Sequence, residues 1–296
     1  MALACCLAPA SAQATPVTDA FDVLQSPDAV RAYWTPERME NAIPLLPALD
    51  GEGGANRGTI AERVRRVKRG AKKTHGKVFM TFSGVDYVCS GTSVNAPSDS
   101  LVWTAGHCVY EPGALGGKAT NFEFVPAYKN GEAPFGEWPA EQLNATSQWK
   151  NGGLICLPGI SFGGCGDVSY DLGAASVASS PQGRKLHERV GARGIDFNGP
   201  RDRTYKIYGY PAEGEFDGEH LYRCKSPYQG ADNSAGNPKP MRATCDMTGG
   251  SSGGGWIAGG KVASVVSYGY SDEPNKLYGP YQGNAARALY DSIDNG

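Results

Sequence analysis

The chain has 296 residues, enough for one large domain or two modest ones built around a sizeable core. Its formal net charge of -2 supplies no cationic field, which argues against nucleic acid or an anionic membrane surface as the main partner. No apolar run approaches the length of a membrane-spanning helix.

Residues 1–14, MALACCLAPASAQA, form a short apolar run ending in the small-x-small pattern Ala12-Gln13-Ala14, as in a secretory leader cut after Ala14. No basic residue precedes the run, which departs from the usual leader. An extracellular or periplasmic chain is expected, and such compartments allow disulfides. Cleavage there leaves Cys89, Cys108, Cys156, Cys165, Cys224 and Cys245, an even set suited to bridging. Zinc is the competing use of cysteine. Yet no C-x-x-C pair occurs, and His75, His107, His187 and His220 lie at no ligand-like spacing. Neither a metal nor another cofactor is expected.

Residues 15–73 contain no cysteine, carry Pro16, Pro27, Pro36, Pro44 and Pro47, and end in the basic run RVRRVKRGAKK, Arg63 to Lys73. Basic runs are most often solvated faces or tails. In an exported chain, one lying between dissimilar segments can also be a processing site. The segment is read as a propeptide, with a structured N-terminal arm as the alternative.

From residue 74 the texture becomes that of an all-β domain. Strand-like runs GKVFMTF, YVCSGTSV, SLVWTAGHCVY, FEFVPAY, YDLGAASV, RTYKIYGYP and VASVVSYGY alternate with loops rich in Gly, Pro, Asn and Asp. Two short helices are expected, at Gly106–Tyr110 and near the C-terminus. In the latter, Ala286, Leu289, Tyr290 and Ile293 fall at helical spacing.

In SLVWTAGHCVY an apolar strand ends in the small residues Thr104-Ala105-Gly106, followed by His107 and Cys108. TAGHC resembles the histidine motif of the trypsin-like serine proteases, and CSGTSV upstream resembles the strand whose cysteine bridges to it. The resemblance implies a Cys89–Cys108 bridge. It also implies two antiparallel six-stranded β-barrels packed together, with a C-terminal helix and the site in the cleft between the barrels. It spans about residues 74–292 and lies closest to the secreted glutamyl-endopeptidase-like branch, through the Gly-Tyr-Pro of RTYKIYGYP.

That family places its nucleophile in Gly-Asp-Ser-Gly-Gly-Pro, which aligns with Gly250, Ser251, Ser252, Gly253, Gly254 and Gly255. The implied nucleophile is Ser252, with the amides of Gly250 and Ser252 as the oxyanion hole. The same GSSGG also fits the nucleophile elbow of α/β-hydrolases, but those need a histidine after the serine and none follows. The acid should lie between His107 and Ser252. Asp171, ahead of Leu172-Gly173-Ala174-Ala175, is preferred to Asp167, Asp196 and Asp202; its other reading is an ordinary turn residue.

Two departures from the family pattern stand out. Ser251 occupies the place of the aspartate that in many relatives pairs with a freed N-terminal ammonium, so that activation route is not expected here. Gly255 replaces the usual proline. SVVSYGY resembles the pocket strand, implying Ser267, Tyr268 and Gly269 as partners of an extended substrate. Val266 stands where glutamate-specific members place a histidine, which argues against that specificity. Asp246 lies at the ungapped pocket-floor position and would favour Lys or Arg at P1, although the position of Cys245 makes that register suspect and a structural turn residue is the alternative.

Order and proximity pair Cys156 with Cys165 and Cys224 with Cys245. Asn144-Ala145-Thr146 matches a glycosylation sequon. The expected protein is a secreted serine endopeptidase, a zymogen and a monomer, acting on polypeptides without cofactor. A catalytically inactive relative serving as a binding or adhesion module is the alternative.

Overall fold

The computed structural model describes residues 20–46, 48–49, 61–63, 70–112, 117–151 and 166–294. The expected leader, Cys156, Cys165 and most of the basic run lie outside those residues. Strands β1 (His75–Phe82) and β2 (Val85–Val94) form a hairpin whose two turn residues, Ser83 and Gly84, both have positive φ. That left-handed pair matches the twist of the flanking strands.

Strands β3 (Leu101–Thr104), β4 (Thr120–Pro126), β5 (Trp138–Ala145) and β6 (Gly173–Val177) complete the first unit. Antiparallel ladders run in the order β1-β2-β3-β6-β5-β4 and return to β1, closing a six-stranded barrel. Closure removes the exposed edges that a free sheet would present.

The second unit comprises β7 (Thr204–Gly209), β8 (Tyr222–Pro227), β9 (Met241–Thr244), β10 (Gly255–Ala258), β11 (Lys261–Val265) and β12 (Lys276–Gly279). Ladders join β8-β7-β10-β11 and, separately, β9-β12. Isolated bonds bridge the seams, among them Thr244 N donating to Ser226 Oγ at 2.9 Å and Ser267 N donating to the Tyr278 carbonyl at 2.9 Å. The expected double barrel is present, the first ring closed by ladders and the second by ladders plus these seams.

The C-terminal helix, Asn284–Ile293, buries Ala286, Leu289 and Ile293 as the spacing predicts. Tyr290 sits at the edge of that face, its hydroxyl donating to the Asn95 carbonyl at 3.0 Å. The other expected helix is a single 3-10 turn, Gly106–Cys108. Among the described residues no helix is long and apolar enough to cross a membrane.

The N-terminal arm is folded onto the first barrel. Phe21–Asp22 pair with Leu143 and Gln142 of β5, and helices follow at Pro27–Tyr33 and Pro36–Asn41. Each helix begins with proline in its first turn behind a capping hydroxyl, Ser26 or Thr35. Val30, Trp34 and Met39 join the main core, each contributing roughly 1.5–3 kcal/mol before ordering costs. Trp34 packs on Phe79 at 5.3 Å, which explains why β1 is buried along both faces instead of alternating. The compositional break near residue 74 is therefore not a break in packing.

Cys89–Cys108 and Cys224–Cys245 are bonded as expected. Asn144 is fully buried and donates to Ser292 Oγ at 2.8 Å, so the folded chain offers no acceptor at that sequon. Opening the 19-residue Cys89–Cys108 separation by double replacement with serine should lower unfolding free energy by about 2–4 kcal/mol in denaturant titrations. An unchanged midpoint would show that β2 and the His107 turn are held by packing alone.

Candidate active site

The pairing of β3 with β6 sets Gly173 against Thr104, so the residues just beyond each strand end meet. Those residues are His107 and Asp171. One oxygen of the Asp171 carboxylate accepts from His107 N at 2.8 Å. The other meets His107 Nδ1 at 2.8 Å and accepts from Ser267 Oγ at 2.5 Å. Asp171 and Ser267 are buried, and such a carboxylate requires donors of this kind. An ionised Asp171 can only accept, which places the proton of a neutral His107 ring on Nδ1 and the lone pair on Nε2.

Asp167 instead caps the 3-10 turn Val168–Tyr170, its Oδ1 accepting from Ser169 N at 2.9 Å. Asp196 pairs with Arg203 at 2.5 Å, and Asp202 is exposed. Of the four acidic candidates, only Asp171 has a hydrogen bond to His107.

Ser252 lies in a loop that packs onto the histidine side of the cleft. Ser90 N, next to the bridged Cys89, donates to the Ser252 carbonyl at 2.6 Å, and Gly253 N donates to the Val266 carbonyl at 2.7 Å. Ser90 Oγ donates to the Gly250 carbonyl at 2.8 Å and accepts from Tyr210 N at 2.9 Å. Gly250 and Gly253 have φ of +89° and +78°, and a Cβ on Gly253 would lie 2.0 Å from Thr104 Oγ1. No L side chain fits there. His107 Nε2 and Ser252 Oγ are both buried without a hydrogen-bond partner among the described residues.

Ser251 has turned inward, its hydroxyl donating to the Thr248 carbonyl at 2.7 Å. The loop is thus tied to itself at the position where relatives carry the activation aspartate. Gly250 N donates to the Leu45 carbonyl at 2.8 Å. Asp246 is buried, and its Oδ1 accepts from Ala61 N at 2.7 Å. Gly269–Tyr270 pair in parallel with Ala48–Leu49. The Tyr268 carbonyl accepts from Tyr278 N at 2.9 Å, and its hydroxyl donates to Asp232 at 2.5 Å. Val266 is buried in the second core.

Two candidate ligand clusters, Cys89/His107/Cys108 and Cys224/Cys245/Asp246, each contain a disulfide. Their sulfurs are bonded to each other and supply no thiolate donor for zinc.

Sequence reasoning missed three participants. Ser90 had a signal, a hydroxyl within the strand CSGTSV. Glu111, four residues past His107, is buried; burial pushes its carboxyl up to about 7, while a charged His107 pulls it down. Leu45 had no local signal at all.

Solved structures resemble this chain over most of its length. The protease Anisep from Arthrobacter nicotinovorans is 41% identical, covering 76% of this chain and 96% of its own at a TM-score of 0.66. The thermostable serine protease AL20 from an extremophilic microorganism is 36% identical, covering 75% and 97% at a TM-score of 0.66. A Glu endopeptidase shares the fold at 19% identity, covering 83% and 99% with a TM-score of 0.60. The sequence matches no protein-family model and no curated protein.

Glu111 generates a pH prediction. The folded chain keeps its proton up to about pH 7, whereas the unfolded chain releases it near 4.5. Across that window the native state binds more protons, so its stability falls as pH rises. Glu111→Gln should gain thermal stability relative to wild type as pH is raised through the window. A difference that does not change with pH would show that this burial does not govern the titration.

Proposed function

The chain belongs to the trypsin-like serine proteases, and from that footing we propose that it is a secreted endopeptidase working through His107, Asp171, Ser252 and an acyl-enzyme. The observation that carries this reading is the buried Asp171–His107 pair, joined through both His107 N and Nδ1, together with a glycine-rich serine loop braced by Ser90. Export is supported by the two disulfides and by the leader-like residues 1–14. Residues 15–73 are the proposed propeptide.

In the proposed reaction Ser252 Oγ attacks the substrate carbonyl as His107 Nε2 takes its proton. The negative charge moves to the carbonyl oxygen, which the amides of Gly250 and Ser252 receive. Asp171 holds the imidazolium that forms, without itself taking the proton. Collapse of the tetrahedral intermediate breaks the C–N bond, and the imidazolium passes its proton to the leaving amine. Water, deprotonated by the same His107 Nε2, then attacks the acyl-enzyme and restores Ser252. Extended substrates would pair along Ser267-Tyr268-Gly269, and Asp246 would favour Lys or Arg at P1.

Digestion of a peptide library tests this reading. Ser252→Ala should lose about six orders of magnitude in kcat. Asp171→Asn should lose about four, by leaving the wrong imidazole tautomer. Undiminished cleavage by Ser252→Ala would refute the mechanism. Products without Lys or Arg at P1 would remove the specificity role of Asp246 while leaving the mechanism intact.

A further inference from the structure

The cleft that the proposed chemistry requires is occupied by the protein's own N-terminal arm. Ile43 and Pro44 pair in parallel with Tyr87 and Val88 of β2, and Leu45 N donates to the Val88 carbonyl at 3.0 Å. The next group along the backbone, the Leu45 carbonyl, accepts from Gly250 N at 2.8 Å. Leu46 packs against the core of the second barrel, and Ala48–Leu49 then pair in parallel with Gly269–Tyr270. Farther along, Ala61 N reaches Asp246 at 2.7 Å, and Glu62–Arg63 join β8. Described residues of the arm therefore contact the proposed oxyanion donor, the proposed substrate strand and the proposed pocket floor.

We propose that Ile43–Leu46 and Ala48–Leu49 form an inhibitory strap that crosses the cleft with the opposite chain direction from a substrate. The inference rests on the triad reading above, and its polarity follows from the chemistry. The leaving amine is on the C-terminal side of the cleaved bond and must receive its proton from His107. The C-terminal half of a substrate therefore departs past His107 and the Cys89–Cys108 bridge, toward Val88. Its N-terminal half lies toward Gly269. The strap runs the other way, entering at Tyr87–Val88 and leaving at Gly269–Tyr270.

A carbonyl sits at Gly250 N, but the amide nitrogen that follows it is directed away from the departure side. The strap thus places an oxygen on the oxyanion donor without presenting a leaving group to His107. Pro44 lacks an N–H and donates nothing to the ladder with β2, which loosens the grip on the strap. Upstream, the packed helices Pro27–Tyr33 and Pro36–Asn41 hold it in register.

The test uses the full chain and a fluorophosphonate that labels an activated serine, with the labelled residue identified by mass spectrometry. Leu46→Asp, which places a charge against the second core, and Leu45→Pro, which deletes the bond to Val88, should each label at Ser252 at least tenfold faster than wild type. Thermal melts verify that each variant is folded. Equal labelling in wild type and both folded variants would overturn the strap and leave the triad reading standing. Absence of labelling in every form would overturn the triad reading and the strap with it. The peptide AIPLLPAL, residues 42–49, added to the Leu46→Asp protein, should slow labelling and remain whole. A Ser252-dependent cut between Leu45 and Leu46, in the peptide or the intact chain, would overturn the reversed direction.

Discussion

The Asp171 carboxylate is the group on which the arrangement of the site depends. A buried negative charge needs several donors, and Asp171 draws them from well-separated parts of the chain. Two come from the His107 turn of the first barrel. The third is Ser267, just beyond the end of β11 in the second barrel. Satisfying one charge thus fixes the imidazole and also registers the two barrels against each other. The bridge at Cys89–Cys108 and the hydroxyl of Ser90 extend the same frame to the serine loop. None of these contacts is large, and their joint effect is positional: each removes a way for the cleft to slide.

Much of this could be read from residue patterns. TAGHC, CSGTSV and TGGSSGGGW carry local requirements, since a bridged cysteine, a small-residue strand end and positive-φ glycines leave few alternatives. The choice of Asp171 over Asp167 also had a local basis. Asp171 lies just ahead of a run of small apolar residues that becomes β6, and strand pairing carries it to His107. The barrels themselves came from the resemblance, because short strands with frequent turns do not specify their own closure.

What escaped had physical reasons. Residues 15–73 are set apart in sequence by their prolines and lack of cysteine, yet Ser26-Pro27 and Thr35-Pro36 are helix starts, with a capping hydroxyl and a preset φ. Strands β5 and β12 carry Pro139 and Lys276 and lack a clean alternation, while β9 alternates but is only four residues long. Ser90 works through backbone groups on distant loops, which no window of sequence displays. The meeting of Leu45 with Gly250 depends wholly on tertiary approach. The sequon at Asn144 shows the converse error, a local pattern cancelled by burial.

The self-contained hydrogen bond of Ser251 has a consequence for how such a protein would mature. In relatives with an aspartate there, a charge arriving from a new chain end reshapes the loop. Here a neutral hydroxyl is already satisfied by Thr248, and Gly250 and Gly253 already hold their left-handed conformations while the arm is in place. On the proposed reading, the serine loop is built before any cut is made. Maturation would then be subtractive: clearing an obstruction from a finished site, with no new ion pair to form and no loop left to reorganise.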